Sequence, residues 1–381
     1  MSSVTALITR AQVLGFRMRA QQLDRDAGDV ADTAVLDIGV QDTGPDGGLW
    51  ALAIRGVGVA ELTDRELARE LVTVWTVRGA PHLYRRADLA SVAAAVEPFS
   101  DADAGRRIYD ATRPLKAAGI ANLDALDTVA AAMRSVVTSP MAKGEVSGRV
   151  ATLLDPPYLR FCRSCDATHL YEMPFRLAAL RAGLELRPGT SPPVLERIVD
   201  FAPGDSPGGS PGGTVPERFD VIRAYLRLLG PATPRDVAGY LDAPVKEVKD
   251  RWPVDAVEVS VDGTSAWVLA ADADRLLDGP PAATRMLGPF DLFLQARDRP
   301  LLVADPARAK ALWPVLGRPG AVLHDGEIVG TWRPRKTGTK LRVSVEPWAR
   351  PTAALLDAIT AQAERLAAHR RVRLAGIDVA G

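Results

Sequence analysis

The stretch from Phe219 to Val268 admits few folds. Phe219, Ile222, Leu226 and Leu229 recur at three- and four-residue steps, which predicts a helix with one apolar face, and Gly230 ends it. Thr233-Pro234-Arg235-Asp236 then supplies an N-cap, a proline at the first helical position and an acid at the third, so a short helix should run through Leu241. Pro244 opens another, in which Val245, Val248 and Trp252 share a face while Lys246 and Lys249 fall on a different one. Val257, Val259 and Val261 alternate with polar residues and meet Asp262-Gly263, a hairpin-turn signal, before Ala266-Trp267-Val268 returns. Helix, helix, turn, helix, hairpin is the order of a winged helix-turn-helix. Such a unit can read DNA, which makes Lys246 and Lys249 candidate DNA-binding residues, or it can serve protein interaction without touching nucleic acid. Glu247 and Asp250 beside the lysines count against a high-affinity reading head.

Similar phrases occur twice more. Leu62-Thr63-Asp64-Arg65-Glu66-Leu67-Ala68 carries a Thr cap and a Glu three residues on, a capping box, with Leu67, Leu71 and Val74 expected on one helical face. Ser139-Pro140 is expected to cap a helix over 141–154, after an amphipathic helix marked by Leu123, Leu126, Val129 and Met133. Three such phrases imply three tandem winged-helix units in an α+β chain. The glycine-, proline- and serine-rich run 201–216 cannot form a packed element and reads as a flexible linker or loop. It separates an N-terminal part, 1–200, from a winged helix over 217–285. Beyond that, 286–381 changes character. Ala321–His324, Asp325-Gly326 and Glu327–Arg335 read as a hairpin, Leu341–Val345 as a further strand, and Thr352 caps a helix striped by Leu355, Leu356, Ile359, Ala363 and Leu366. This is a small β-barrel or meander beside a helix.

Charge decides whether a nucleic-acid role is physically open. Basic and acidic residues balance at 47 each, so affinity for phosphate would need an uneven distribution. Residues 331–342 provide one: Arg333, Arg335, Lys336, Lys340 and Arg342 occur there with no acid. Arginine abundance in itself carries no weight, because only seven of the basic residues are lysine, the pattern of a GC-rich genome. No apolar run approaches the roughly 18 residues of a membrane span. The first residues, MSSVTALITRAQ, lack the apolar core of a secretory signal. With two cysteines, these features lead to the expectation of a cytoplasmic, reducing setting without structural disulfides.

Three segments carry a family resemblance. Trp75-Thr76-Val77-Arg78-Gly79-Ala80-Pro81-His82-Leu83 resembles a W-x-x-R-G-T-x-H-L segment. Phe290-Asp291-Leu292-Phe293-Leu294-Gln295-Ala296-Arg297-Asp298-Arg299 resembles the segment preceding the barrel, and Asp325-Gly326-Glu327-Ile328-Val329-Gly330-Thr331-Trp332-Arg333 resembles a D-G-x-x-V-G-x-W-R hairpin. In this order they resemble the winged-helix DNA glycosylases, AlkZ-like and YcaQ-like, along nearly the whole chain. The resemblance implies a C-shaped DNA-binding body of tandem winged helices and a β-barrel around duplex DNA. It implies removal of alkylated bases or unhooking of interstrand crosslinks, with no cofactor. The family's catalytic motif, Gln, an apolar residue, then Gln or Asp soon after a glycine, corresponds here to Gly39-Val40-Gln41-Asp42-Thr43. Gln41 matches the first Gln, Thr43 stands at the second position, and Asp42 occupies the apolar place; a one-residue shift makes Asp42 the functional acid.

Hydrolysing an N-glycosidic bond builds positive charge on the sugar, which a carboxylate can stabilise while a Gln holds water. Asp42 and Gln41 are the catalytic candidates; the other reading of Asp42, followed by Thr-Gly-Pro-Asp-Gly-Gly, is that it opens a turn. Arg78 and His82 point at phosphate or a flipped nucleotide, or brace a helix end. Cys162, Cys165 and His169 have C-x2-C-x3-H spacing with Glu172 as a conceivable fourth ligand, but zinc usually needs four and no second Cys pair exists; a redox pair or packing are the other readings, and no metal is assigned. No phosphate-cradling glycine loop, dinucleotide fingerprint or G-x-S-x-G is present. The expectation is a monomeric, nucleoid-associated DNA glycosylase acting on double-stranded DNA, with no membrane partner. The alternatives are a non-catalytic winged-helix DNA-binding protein or transcriptional regulator, and an interaction scaffold.

Overall fold

The computed structural model describes residues 7–45, 47–163, 166–201 and 215–380. Most of the 201–216 run, and Cys165, lie outside the described residues. The chain is a mixed α+β protein of two compact units that interleave along the sequence. The first comprises Met1–Arg69, Arg223–Asp236 and Pro253–Gly381, the second Glu70–Ile222 and Val237–Trp252.

In the first unit the C-terminal strands form one sheet in the order Thr284–Leu287, Gly320–His324, Glu327–Thr337, Lys340–Pro347, Arg373–Val379. The first four are an antiparallel meander, and Arg373–Val379 joins in parallel with Lys340–Pro347. The order is open, so of the two readings, barrel or meander, the meander is present, extended by a fifth strand, and the barrel is corrected. A parallel return needs a crossover, and the helix Ala353–His369 provides it, laying Leu355, Ile359, Ala363 and Leu366 against the sheet. Thr352 caps this helix as expected, its hydroxyl accepting the Leu355 N–H at 3.2 Å. Asp325 and Gly326 take φ of 46° and 90°, the backbone a two-residue hairpin turn requires. The buried Trp332 indole donates to the Leu287 carbonyl at 2.8 Å and presses on Gly320, where a Cβ would lie 2.2 Å from the indole nitrogen.

Two ion pairs fix the segment that enters this sheet. Arg55 and Asp291 are both wholly buried and joined at 2.7 and 2.9 Å; Arg17, also buried, holds Asp298 at 2.6 and 3.0 Å. Removing one partner of such a buried pair strands a charge and costs about 3–5 kcal/mol, so Phe290–Arg299 is held in one path.

The elements expected after the linker are present in order: helices Val221–Leu229, Pro234–Leu241 and Val245–Lys249, then strands Ala256–Val261 and Thr264–Leu269. Thr233 and Asp236 form a reciprocal cap, at 2.9 and 3.2 Å. Asp262 and Gly263 adopt φ of 46° and 86°, and Val261 faces Thr264 across the turn. Leu7–Ile8 adds a third strand parallel to Ala256–Val261, over a core of Ile8, Val13, Phe16, Val259, Val261 and Val268.

The second unit packs helix Asn122–Val136, with Leu126, Val129 and Met133 buried, against helix Glu172–Arg181. Two expectations are corrected here. The helix after Thr63 ends at Glu70, and Leu71–Trp75 is a fully buried strand paired with Pro81–Arg85. A run of Leu-Val-Thr-Val-Trp with no polar face suits a strand covered on both sides. The expected helix over 141–154 is a two-residue strand, Met141–Ala142, followed by a helix Lys143–Ala151 whose N-cap is Ala142, not Ser139.

Candidate active site

The glycine-led motif folds as a short strand, Val40–Gln41, after Gly39 turns the chain at φ 87°. The loop that follows is tied to the next helix, Gly48–Ala53: the Asp42 Oδ1 accepts the Gly48 N–H at 2.8 Å. Asp42 thereby satisfies one of the open donors at that helix start. The fit is close, since a Cβ on Gly47 would lie 2.5 Å from the same oxygen. The helix is anchored beneath by Trp50, whose indole donates to the Met286 carbonyl at 2.8 Å. Burial raises the Asp42 carboxyl above its ordinary value, opposed by the Gly48 hydrogen bond. Gln41 lies next to it and donates from Nε2 to the Thr43 hydroxyl at 3.1 Å. The turn role and a catalytic role are thus compatible: one Asp42 oxygen is used by the fold.

Beside the motif is a cavity of about 390 Å³. Thr43, Gly44 and Pro45 line one part; Phe290 and residues 315–318 line another. Arg318 stacks over the Phe290 ring at 5.2 Å, and Val315 and Leu316 are 94% and 85% exposed, unusual for two adjacent aliphatic side chains.

The DNA-binding candidates divide. His82 is corrected: it is 1% exposed, and its Nδ1 donates to the Ala80 carbonyl at 2.9 Å. Burial first, then the Arg78 charge, lower its pKa to about 3, against the pull of the Ala80 bond. It is a neutral buried brace for its strand and cannot present a cation to phosphate. Arg78 adopts φ 57° in the turn between the paired strands and donates to the Tyr240 carbonyl at 2.5 Å, stacked 4.8 Å from that ring. Its guanidinium is engaged within the unit. Lys246 is exposed but paired with Asp250 at 2.5 Å; Lys249, also exposed, is the more available of the two.

In the basic hairpin the pleat sorts the side chains. Arg335 faces Arg342, Thr337 faces Lys340 and Arg333 faces Ser344, so the four cations Arg333, Arg335, Lys340 and Arg342 share the exposed face. Lys336 faces the buried Leu341 and belongs to the opposite side. Arg333 donates to the Gly317 carbonyl at 2.7 Å, and Arg342 pairs with Asp378 at 2.7 Å.

Cys162 and His169 lie on a small hairpin, Leu159–Cys162 with Ala167–Leu170. The His169 Nδ1 bonds the Leu170 carbonyl at 2.8 Å. Glu172 is held by both Lys143 and Arg176 at 2.5 Å, which lowers its pKa despite burial and occupies it as a ligand.

Sequence reasoning passed over Arg297, Arg299 and Arg318, and the exposed pair Val315-Leu316. The available signal was two arginines flanking a single acid in Arg297-Asp298-Arg299; its meaning depends on where Asp298 turns.

A solved DNA glycosylase AlkZ from Streptomyces sahachiroi superimposes with a TM-score of 0.68 at 22% identity, covering 98% of this chain and 99% of that one, a likeness of fold. No curated protein matches in sequence. The family model described as DNA glycosylase AlkZ-like matches residues 18–369, so the chain belongs to the AlkZ-like DNA glycosylase family.

Proposed function

We propose that this DNA glycosylase hydrolyses the N-glycosidic bond of alkylated bases, or of interstrand crosslinks, in duplex DNA, using Asp42 and Gln41 and needing no cofactor. One observation carries the assignment to Asp42: a carboxyl whose pKa is raised by burial, one residue from the acid position of the family's motif, beside a cavity of about 390 Å³. Perturbed carboxyls in clefts are the usual acid-base groups of hydrolases. The reaction demands little beyond such a group. As the damaged base leaves, positive charge grows at the sugar. The ionised Asp42 stabilises that charge and receives a proton from the attacking water, while the Gln41 amide orients the water by hydrogen bonding. The oxygen that accepts from Gly48 fixes the carboxylate; the second is the reacting one. Alkylation supplies the driving force, because a cationic purine is a better leaving group than a neutral one.

DNA is held by phosphate contacts from the exposed face of the 331–342 hairpin and from Lys249 and Lys246, in a body of tandem winged-helix units. The balanced overall charge makes these local patches decisive.

The test uses duplex DNA carrying N7- or N3-alkylated purines, incubated with the protein and then cleaved with alkali. Strand breaks at the alkylated purines are expected. Their absence on these duplexes and on crosslinked DNA, with binding intact, would leave a non-catalytic winged-helix DNA-binding protein or regulator as the better reading.

A further inference from the structure

Arg318 lines the cavity beside the motif, Arg297 and Arg299 lie close enough to act on its charge or feel it, and among the described residues no acid pairs with the three. Arg318 lines the cavity with its guanidinium on Phe290, and Arg299 stacks 4.9 Å over Trp313. Arg297 makes no side-chain hydrogen bond among the described residues, and its Nε is shut off from solvent without a partner. The acid between Arg297 and Arg299 in sequence, Asp298, is turned away to the buried Arg17 at 2.6 Å. The hydrogen bond available to Arg318 is a long one, 3.4 Å, to the Pro314 carbonyl.

Such a cluster works against the fold. Burial depresses the pKa of Arg299 and Arg318, and Arg297 depresses both further, the signature of like charges sharing a partly dry site. A chain loses stability by leaving a guanidinium nitrogen buried and unbonded. An anion at the guanidinium edges would relieve the repulsion. The stacking defines the anion further. With one guanidinium face each on Phe290 and Trp313, Arg318 and Arg299 keep planar N–H edges, the edge that meets two oxygens of one tetrahedral phosphate. In a member of a DNA glycosylase family the phosphate at hand is that of the DNA backbone.

The geometry points to a phosphodiester seat in which Arg297, Arg299 and Arg318 bind the backbone phosphate adjoining the nucleotide that enters the cavity between residues 43–45 and Phe290. This rests on the proposed placement of the reacting nucleotide at Asp42. The seat does the positioning work: gripping the phosphate next to an extruded nucleotide sets the distance of its glycosidic bond from the motif and offsets part of the unstacking cost.

The experiment measures binding, so that it is independent of catalysis. Duplex DNA with a single tetrahydrofuran abasic analogue is titrated across a salt series with wild type, Arg297→Gln, and Arg297→Gln/Arg299→Gln. The double variant should bind about tenfold more weakly, with a salt slope shallower by about 0.9 for each phosphate it no longer neutralises. A neutral methylphosphonate beside the analogue should weaken wild type similarly and the double variant no further. Arg297→Gln should melt at or above the wild-type temperature, because repulsion is removed. Unchanged affinity and slope, equal sensitivity of variant and wild type to the methylphosphonate, or a lowered melting temperature in Arg297→Gln would overturn the seat. If wild type releases no base yet the methylphosphonate result holds, the catalytic reading fails and the seat stands.

Discussion

The Asp42 carboxylate accepts the N–H of Gly48 at 2.8 Å while burial raises its pKa, so one side chain is both a structural tie and a group poised to titrate. Asp42→Asn separates the two. The amide oxygen can still accept from Gly48, and the turn survives; charge stabilisation at the sugar does not. Base release should fall by about 10²–10⁴, with affinity for undamaged duplex within a few-fold. Stability supplies a second readout. A carboxyl with a raised folded pKa binds its proton more tightly in the folded state, so its stabilising contribution is full below the unfolded pKa and is lost as pH rises through the folded value. At neutral pH the ionised Asp42 is therefore a net burden, and Asp42→Asn should melt no lower than wild type. A marked drop in melting temperature with base release intact would make Asp42 a turn residue alone.

The register of the motif is a separate matter. Gln41 donates to Thr43 at 3.1 Å, which holds the amide beside the loop but leaves its carbonyl oxygen available for water. Gln41→Ala should lower the rate of base release by less than Asp42→Asn does, without displacing the acid limb of the pH–rate profile. That limb belongs to Asp42 and should lie above the ordinary carboxylate value, with activity lost as pH falls through it. An inactive Gln41→Ala beside an active Asp42→Asn would transfer the essential role to Gln41.

The basic hairpin makes a prediction about faces. Arg335 opposes Arg342, and like charges directly across a strand pair are unfavourable unless an anion lies over them. Asp378 gives Arg342 partial relief, and that carboxylate is engaged there. Arg335→Ala/Lys340→Ala should weaken duplex binding uniformly across sequences and lower the salt slope by about 0.9 per phosphate. Lys336→Ala, on the other side of the ribbon, should change the slope less. Equal effects from both faces would mean that the hairpin attracts DNA by net charge without a defined contact.

What could be read from residues alone follows the range of the physics. Thr233 with Asp236, Asp262-Gly263, Asp325-Gly326 and Thr352 each act within four residues, and their caps and turns are where the sequence places them. Leu71–Trp75 misled because helical spacing and a buried strand share the same apolar letters; only the pairing with Pro81–Arg85 decides. The strand Arg373–Val379 has no alternation to announce it, and its parallel neighbour is reached through a whole helix. In the site, the Gln41-Asp42 motif was visible as letters. The unopposed charge of Arg297 and Arg299 was not, because it depends on Asp298 choosing Arg17, 281 residues away.

His82 gives the acid side of the stability profile. Folded, its imidazole is neutral down to a pKa of about 3; unfolded, it takes a proton near its ordinary 6.5. The unfolded chain therefore binds more protons between those values. A depressed folded pKa contributes stability that is present above the unfolded value and lost as pH falls through the folded one. At pH about 5 the loss from this residue alone is about 2 kcal/mol, at 1.36 kcal/mol per unit. His369, lowered to about 4 by burial and then by Arg370 and Arg365, loses stability in the same direction. His82→Gln keeps a donor for the Ala80 carbonyl and cannot titrate. Its melting temperature should start somewhat below wild type at neutral pH and fall less steeply as the solution is acidified, and duplex affinity at neutral pH should be unaffected. If the two proteins melt along parallel curves, His82 is not carrying the acid sensitivity; if the variant loses DNA affinity without losing stability, the buried-brace assignment is wrong and the residue does reach the nucleic acid.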